Sequence, residues 1–302
     1  MAGLGYTATM RIVDLYARGA EGGFPVFSFE FFPPRTDAGY RTLYRTIADL
    51  KELGPGFVSV TCGAAGSTRT RTAELVVRIQ NELGLTAMAH LTCTGQTREE
   101  LASTLEGLQR EGIRNVLALR GDPPRDQPDW RPVPGGFRHA SELAAFIKTR
   151  FDMTVGGACY PEKHPEAPSL EVDLEHLRRK VDAGAEFLIT QLFLDDEDYF
   201  RFVERARARG IGVPIVPGIM PMVSLQNLRG AMRLSPGSRT PRELEQALEA
   251  TEGDATASLE VGVEWATLQC RELLAGGAPG IHFYTLNRSP ATRRVTERLR
   301  AG

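Results

Sequence analysis

Glu30 is the acid in this sequence whose surroundings most suggest chemistry. It lies inside the apolar run Phe-Ser-Phe-Glu-Phe-Phe at 27–32, which is typical of a short strand and stops at Pro33-Pro34. Burying an ionised carboxylate among apolar side chains is costly, so the residue must face a cavity or have a partner. A surface Glu, or one paired with an Arg, is the simpler interpretation of the residue taken alone.

Polar or ionisable side chains also follow most of the other apolar runs. They are Thr61, His90, Asp122, Tyr160, His164, Gln191, Tyr284 and Arg288. Any one of them could cap a helix or pair within the core, so the argument rests on their convergence in one place. The stretch Arg120-Gly121-Asp122 adds features that suit an anionic cofactor. The Arg can bind a phosphate, the Gly allows close approach of the backbone, and the Asp can accept a hydrogen bond from a ring.

Several other chemistries lack their usual sequence pattern. There is no His-x-His pair, no Gly-x-Ser-x-Gly elbow, and none of the four lysines lies in a predicted strand, where a Schiff-base lysine is expected. A metal-dependent hydrolase built from His90, Asp122 and His164 remains an alternative at this point. The residues alone indicate an enzyme with an anionic cofactor and a carboxylate that acts as acid or base.

Eight apolar runs alternate with amphipathic stretches, and this alternation must position the polar residues. The runs are Val26–Phe31, Phe57–Thr61, Thr86–Leu91, Val116–Leu119, Met153–Tyr160, Phe187–Leu192, Ile215–Pro217 and Gly280–Tyr284. The predicted helices between them are Tyr40–Leu53, Arg69–Leu83, Arg98–Glu111, His139–Phe151, Leu170–Ala183 and Glu197–Arg209. Eight strands each followed by a helix predict an α/β protein with a (β/α)8 TIM barrel, whose chemistry lies at the carboxyl ends of the strands.

The gap before the last strand is about twice as long as the others. It holds an extra helical segment, Pro241–Glu252, ahead of the helix Ala255–Leu274. No linker or change of composition divides the chain, so residues 1–302 are predicted to form a single catalytic domain. A doubly wound sheet is the alternative, but it usually has a Gly-rich phosphate turn after its first strand, where this chain has Pro33-Pro34.

Composition excludes several classes of partner. The net charge of the 302 residues is −2, so no nucleic-acid partner is expected. No apolar run approaches the length of a membrane span, and the first residues lack a signal-peptide pattern, so we expect a cytoplasmic protein with no membrane partner. The four cysteines are scattered, which predicts neither a zinc site nor a disulfide framework, and we expect no metal.

A set of motifs spread over nearly the whole chain resembles methylenetetrahydrofolate reductase. The motifs are Ser-Phe-Glu-Phe-Phe-Pro-Pro at 28–34, Ala-Leu-Arg-Gly-Asp at 118–122, Tyr-Pro-Glu-x-His-Pro-Glu at 160–166, Lys-Val-Asp-Ala-Gly-Ala at 180–185, Ile-Thr-Gln at 189–191, Pro-Gly-Ile at 217–219 and His-Phe-Tyr-Thr-Leu-Asn at 282–287. Each is weak alone, and together they are specific. The resemblance is to the short bacterial form, which consists of the catalytic barrel only.

The resemblance implies an FAD-dependent oxidoreductase of one-carbon metabolism, on the route to methionine. The family reduces 5,10-methylenetetrahydrofolate to 5-methyltetrahydrofolate in a ping-pong scheme, in which NAD(P)H, usually NADH in the bacterial form, first passes a hydride to flavin N5. The resemblance implies two catalytic residues, Glu30 and Asp122. Glu30 matches the family's general acid, and Asp122 matches the Asp that contacts the pterin beside the flavin, where its negative charge favours the cationic intermediate. Two alternatives stay open, namely a flavin- or folate-binding subunit that needs a partner for electrons, and a flavin-free reductase of the same family.

The resemblance also assigns binding residues. Those expected to bind FAD are Cys62, Ala64, His90, Arg120, Gly121, Asp122, Ala140, Tyr160, His164, Ala167, Asp173, His176, Arg179 and Lys180. Those expected to bind the folate or nicotinamide are Thr61, Asp122, Gln191, Asn227, Tyr284 and Arg288. The chain departs from the family pattern at four positions. Relatives often have Tyr in place of Cys62, and some have Asn, Gln and Phe in place of His176, Asn227 and Met232. We also expect a homo-oligomer.

Overall fold

The computed structural model describes residues 10–63, 69–122, 133–235 and 237–301. These residues contain nine parallel strands in one sheet: β1 (Val26–Phe31), β2 (Phe57–Val60), β3 (Ala87–Thr92), β4 (Asn115–Leu119), β5 (Thr154–Cys159), β6 (Phe187–Thr190), β7 (Ile215–Val216), β8 (Gly218–Ile219) and β9 (Gly280–Tyr284). Their order is β7-β6-β5-β4-β3-β2-β1-β9-β8. Only Pro217 separates β7 from β8, so the two occupy one strand position and the sheet closes. The predicted (β/α)8 barrel is confirmed.

The described residues also contain eleven helices, most of which lie on the outside of the barrel. They are α1 (Ile12–Gly22), α2 (Asp37–Lys51), α3 (Arg69–Leu83), α4 (Arg98–Arg110), α5 (Ala140–Arg150), α6 (Leu170–Asp182), α7 (Asp196–Ala208), α8 (Leu225–Leu234), α9 (Arg242–Ala250), α10 (Ala255–Ala275) and α11 (Pro290–Ala301). The extra segment predicted before the last strand is α9. Three helices were not predicted, α1, α8 and α11.

The alternation of side chains along the strands sorts the core into two parts. On β1, Phe27, Phe29 and Phe31 face outward and join the apolar layer beneath the helices. Ser28 and Glu30 alternate with them and therefore face the barrel axis. In the register of the sheet, Ser28 pairs with His282 and Glu30 with Tyr284 of β9. The polar residues of both strands are thus brought to the same side.

Helix α1 closes the amino-terminal end of the barrel. Its Ile12, Leu15 and Tyr16 pack against the inward-facing side chains of the strands, including Phe57 and Phe187. The backbone N–H of Ile12 donates to Asn115 Oδ1 at 2.8 Å, and Asn115 Nδ2 donates to the carbonyl oxygen of Met10 at 3.0 Å. Glu30, Thr61 and Gln191 lie at or just beyond the carboxyl ends of their strands.

The seventh strand differs from its prediction, which was a continuous run through Pro217. Proline has no backbone N–H for the ladder, so β7 pairs with β6 and β8 pairs with β9 on either side of it. Gly218 lies at this junction, and a Cβ there would be 2.5 Å from the carbonyl oxygen of Thr190 and 2.6 Å from Tyr284 Oη. Closure of the barrel therefore requires glycine at position 218.

None of the helices in the described ranges combines the length and the apolarity that crossing a bilayer would require.

Candidate active site

Glu30 lies inside the barrel near its carboxyl end, where two histidines flank it. Its side chain is 17% exposed, and Oε2 is 3.4 Å from His90 Nε2 and 3.5 Å from His282 Nε2. Its backbone oxygen accepts a hydrogen bond from Thr285 Oγ1 at 2.6 Å. The carboxyl group therefore reaches the open end of the barrel while its base is fixed to β9.

His282 is fully buried, and no role for it was predicted from the sequence. Its Nδ1 is 2.8 Å from Ser28 Oγ, and its Nε2 is 3.4 Å from Ser59 Oγ. The ring stacks on Phe57 with a centroid separation of 5.9 Å. His282 could have been found from its spacing, because it stands two residues before Tyr284 on one strand and so shares its face. It supports Glu30 from below.

His90 contacts Glu30 without forming an ion pair. Burial lowers the pKa of His90 to about 4, although the nearby Glu30 carboxylate acts in the opposite direction. The imidazole is therefore neutral at neutral pH. Its Nε2 has no partner with hydrogen-bond geometry among the described residues. His90 thus supplies a neutral, polar wall to the space around the acid.

Most residues predicted to bind the cofactor line one continuous groove beside this acid. One part of the groove, of 260 Å³, is lined by Cys62, Arg120, Gly121, Asp122, Ala140, Tyr160, His164 and Lys180, among others. The adjoining part, of 280 Å³, shares four of those residues and adds Ala167, Asp173, His176 and Arg179. Ala64 lies outside the described residues, and His90 lies with Glu30. Two larger cavities, of 560 and 730 Å³, lie between outer helices, away from the strand ends.

Lys180 is the buried cation of the groove. Its stem crosses β5 at Gly157, where a Cβ would lie 2.8 Å from Lys180 Cδ. Its Nζ donates one hydrogen bond to the carbonyl oxygen of Ala158 at 2.6 Å, and burial lowers its pKa. An ammonium group has three donors, so two remain beyond the one that Ala158 accepts. Lys180 therefore suits an anionic group in the groove.

Arg120 is half-buried at the junction of the two parts of the groove and is held by Glu166. Its Nη1 and Nη2 donate to the two oxygens of Glu166 at 2.5 and 2.7 Å. The guanidinium group lowers the pKa of that carboxyl. The next residue, Gly121, has φ +84°, and a Cβ there would lie 2.9 Å from Thr92 Cβ, so glycine is required.

His164 is held in one tautomer by its own loop. The ring Nδ1 accepts a hydrogen bond from the backbone N–H of Glu166 at 3.1 Å, and the backbone N–H of His164 donates to Asp173 Oδ2 at 2.8 Å. Burial lowers the pKa of the ring, which favours the neutral form. Because Nδ1 is an acceptor, the proton of that neutral ring is on Nε2. The ring meets Tyr160 edge-on at 4.6 Å between centroids. His164 is therefore prepared as a hydrogen-bond donor within the groove.

The other cationic side chain predicted for the cofactor has a different setting. Arg179 is 65% exposed and forms a bond of 3.2 Å with Glu175, one turn earlier on α6. It lines the outer part of the groove together with His176. Its neighbour Lys180, in contrast, points inward, because adjacent residues of a helix face different directions.

The residues predicted to bind substrate are only partly brought together. Thr61 and Gln191 follow β2 and β6 at the carboxyl end of the barrel, and both are half-buried. Tyr284 uses its hydroxyl within the barrel, donating to the carbonyl oxygen of Thr190 at 2.6 Å. Arg288 is exposed on the loop after β9. Asn227 lies in the first turn of α8, where its Oδ1 accepts from the N–H of Val223 at 3.2 Å.

The metal-site alternative has no geometric support in the parts of the chain that the structure describes. No three side chains of His, Cys, Asp or Glu form a group that could hold a metal ion among these residues. His90 lies beside Glu30, whereas Asp122 and His164 line the groove.

Comparisons with known proteins identify the family of the chain. The family model described as "Methylenetetrahydrofolate reductase" matches residues 16–300. The chain is 39% identical to 5,10-methylenetetrahydrofolate reductase of Escherichia coli (strain K12) over 275 residues, which cover 90% of both chains. It is 41% identical to methylenetetrahydrofolate reductase (NADH) 1 of Arabidopsis thaliana over 293 residues, or 92% of this chain. It spans about half the length of that plant relative, of which the match covers 49%.

Among solved structures, one match is an uncharacterised protein from Clostridium thermocellum, described as binding two copies of 5-methyl-5,6,7,8-tetrahydrofolic acid. Its TM-score is 0.61 at 14% identity, with 92% of this chain and 94% of that chain covered. At this identity the similarity supports the barrel fold alone. The family model spans nearly the whole chain and the E. coli relative matches over nine tenths of its length, so the chain belongs to the methylenetetrahydrofolate reductase family.

Proposed function

We propose that this chain reduces 5,10-methylenetetrahydrofolate to 5-methyltetrahydrofolate with NADH, using bound FAD, and that Glu30 is the general acid. The observation that carries the proposal is the position of Glu30, held between His90 and His282 at the open end of the barrel that also bears an anion-binding groove. Family membership supports the reaction, and the name of the plant relative supports NADH as the donor.

The groove fits FAD in its donors and its charge. Lys180 and Arg120 would hold the diphosphate, the Nε2–H of His164 would donate to the cofactor, and Asp173 would accept from a ribose or adenine group. Gly121 would allow the ring system to approach the backbone of the strand end. The chemistry that FAD supplies when bound is the acceptance and donation of a hydride. Residues of this chain must supply the proton.

Glu30 would supply that proton to the folate. The methylene bridge is a poor hydride acceptor until its five-membered ring opens to an iminium cation, and opening requires a proton at N10. Glu30 lies inside the barrel near this end, beside His90 and His282. A positioned acid accelerates such a step about 10²- to 10⁴-fold. Ser28 and Ser59 hold His282, and His282 limits the positions that the carboxyl group can take.

The remaining predicted residues would orient the ligands. Asp122 would accept from the pterin, and Gln191 and Thr61 would contact the pterin or nicotinamide in turn. Asn227, Tyr284 and Arg288 are also proposed to contact the substrate. Tyr284 and Asn227 each form a hydrogen bond within the protein as well. The proposal treats residues 1–302 as one catalytic domain of a cytoplasmic homo-oligomer.

The test is the visible absorbance of the purified chain, recorded after incubation with FAD and removal of unbound cofactor. We expect a flavin band that bleaches on anaerobic addition of NADH and returns when 5,10-methylenetetrahydrofolate is added. Parallel additions of NADPH measure the preference between the two donors. A band that NADH cannot bleach but dithionite can, and that folate restores, would favour a subunit dependent on a partner.

A chain that stays colourless with FAD would contradict the flavin part of the proposal. If that chain still oxidised NADH in the presence of 5,10-methylenetetrahydrofolate, it would be a flavin-free reductase. If it did neither, the proposed function would be wrong.

A further inference from the structure

The contact between Glu166 and Arg120 places a carboxylate where a phosphate is expected. We propose that Glu166 is a resident anionic occupant of Arg120, which the phosphate of an incoming ligand displaces, so that Glu166 sets the affinity of the groove for phosphate-bearing ligands. The identity of that ligand as FAD rests on the proposed function. The exchange itself concerns any ligand with a diphosphate.

The geometry is that of an anion complex. Both terminal nitrogens of Arg120 donate to the two Glu166 oxygens, at 2.5 and 2.7 Å. Carboxylates and phosphates bind an arginine fork in the same bidentate manner. As long as Glu166 holds this fork, a diphosphate in the groove cannot use the same two donors.

The charges around the groove favour the exchange. A diphosphate has two negative charges, and Lys180 offers one buried cation with donors to spare. Arg179 is mostly exposed and paired with Glu175. Among the described residues that line the groove, a second partly buried cation is therefore available to a phosphate only when Arg120 releases Glu166.

Releasing Glu166 costs little. Its side chain is 57% exposed, so water can solvate the freed carboxylate. Pairs this exposed contribute about 1 kcal/mol or less, which corresponds to about fivefold in a binding constant. A phosphate that accepts two hydrogen bonds from Arg120 can offset that cost.

The loop that carries Glu166 keeps its shape independently of the pair. Lys163 Nζ donates to the carbonyl oxygens of His164 and Pro165 at 3.1 and 3.4 Å, and also to that of Ala167. The ammonium group thus ties together the backbone on both sides of Glu166. The carboxylate can move away while His164 keeps its place.

The experiment compares the binding of ADP, FAD and riboflavin to the full-length wild type and to Glu166→Gln. ADP carries the diphosphate without the flavin ring, and riboflavin carries the ring without phosphate. We expect Glu166→Gln to bind ADP and FAD about two- to fivefold more tightly, with riboflavin unchanged. Calorimetry gives the dissociation constants, and thermal unfolding of each unliganded variant checks that it is folded.

Two further variants separate exchange from a general effect of charge. Glu175→Gln removes the same charge from the partner of Arg179, and we expect it to change ADP affinity less than Glu166→Gln does. In an Arg120→Gln background, adding Glu166→Gln should no longer tighten ADP binding. Equal gains from Glu175→Gln, or a gain that survives without Arg120, would overturn the proposal.

Weaker or unchanged ADP and FAD binding by Glu166→Gln would also overturn it, because Glu166 would then orient Arg120 or be indifferent to the ligand. ADP separates this inference from the proposed function. A chain that binds ADP with the expected pattern but reduces no folate retains the exchange and loses the proposed function. If the chain reduces folate but its Glu166→Gln variant binds FAD with wild-type affinity, the proposed function is retained and the exchange is lost.

Discussion

The sharpest prediction concerns Glu30→Gln, which should separate the two half-reactions. Glutamine keeps the volume of the side chain and an oxygen acceptor but has no acidic proton. Glu30 contacts His90 and His282 at 3.4 and 3.5 Å, and His90 is neutral at neutral pH. No ion pair with His90 is lost, so the free energy of unfolding should change by about 1 kcal/mol or less.

The kinetic effect should be much larger and confined to the folate. We expect reduction of bound flavin by NADH to stay within about threefold of wild type, and hydride transfer to the folate to fall by about 10²- to 10⁴-fold. Anaerobic stopped-flow absorbance at the flavin band measures each step separately. Glu82→Gln, the same change on the exposed surface of α3, is the matched control and should leave both steps unchanged.

Two results would refute the reasoning. Folate reduction at the wild-type rate would remove Glu30 as the acid. An equal loss in both half-reactions would mean that the variant damages the cofactor site rather than proton delivery. Unfolding in urea, compared with that of the wild type, shows whether the variant is folded.

Other features of the barrel can be tested in the same way. His282→Asn should lower the folate step about tenfold and leave flavin reduction unchanged, because Asn can still reach Ser28 but no longer limits the position of Glu30; equal losses in both steps would contradict this role. Gly218→Ala should destabilise the fold by about 2 kcal/mol or more in urea unfolding, whereas Gly212→Ala, with no atom within 4 Å of its Cβ, should be nearly neutral. Burial raises the pKa of Asp196 to about 7 from 3.8, so its stabilising effect is complete below about pH 4 and is lost as the pH rises to about 7. The stability gained by Asp196→Asn relative to wild type should therefore grow between about pH 4 and pH 7, and a gain independent of pH would contradict the raised pKa.

The repeating framework could be predicted from the sequence because each element carries its own signal. β1 and β9 have the predicted bounds, and α3 spans the predicted Arg69–Leu83. Helix α1 was missed because its N-cap, Arg11, makes no side-chain capping bond. Helix α11, in contrast, begins at Pro290, and a proline in the first turn is a sequence signal for the start of a helix.

The site was predictable as a set of residue types at strand ends, but its pairings were not. Arg120 and Glu166 are 46 residues apart, and Lys180 and Ala158 are 22 apart. Such contacts depend on how the barrel closes and on which way each side chain turns, and a local pattern specifies neither. The same limit explains why His282 received no role, since its importance comes from Ser28 and Glu30 on another strand.

The closure of the amino-terminal end of the barrel by α1 has a consequence for the access of ligands to Glu30. Below Glu30 the axis is filled by Ser28, His282 and Phe57, and α1 closes the end beneath them. Within the described part of the chain, a molecule that must reach this carboxyl group enters and leaves through the carboxyl end of the barrel. Two ligands that both need Glu30, or the space above it, therefore cannot bind at the same time. The first must dissociate before the second can bind. Alternate binding of the two ligands would then follow from the shape of the barrel and would require no conformational change.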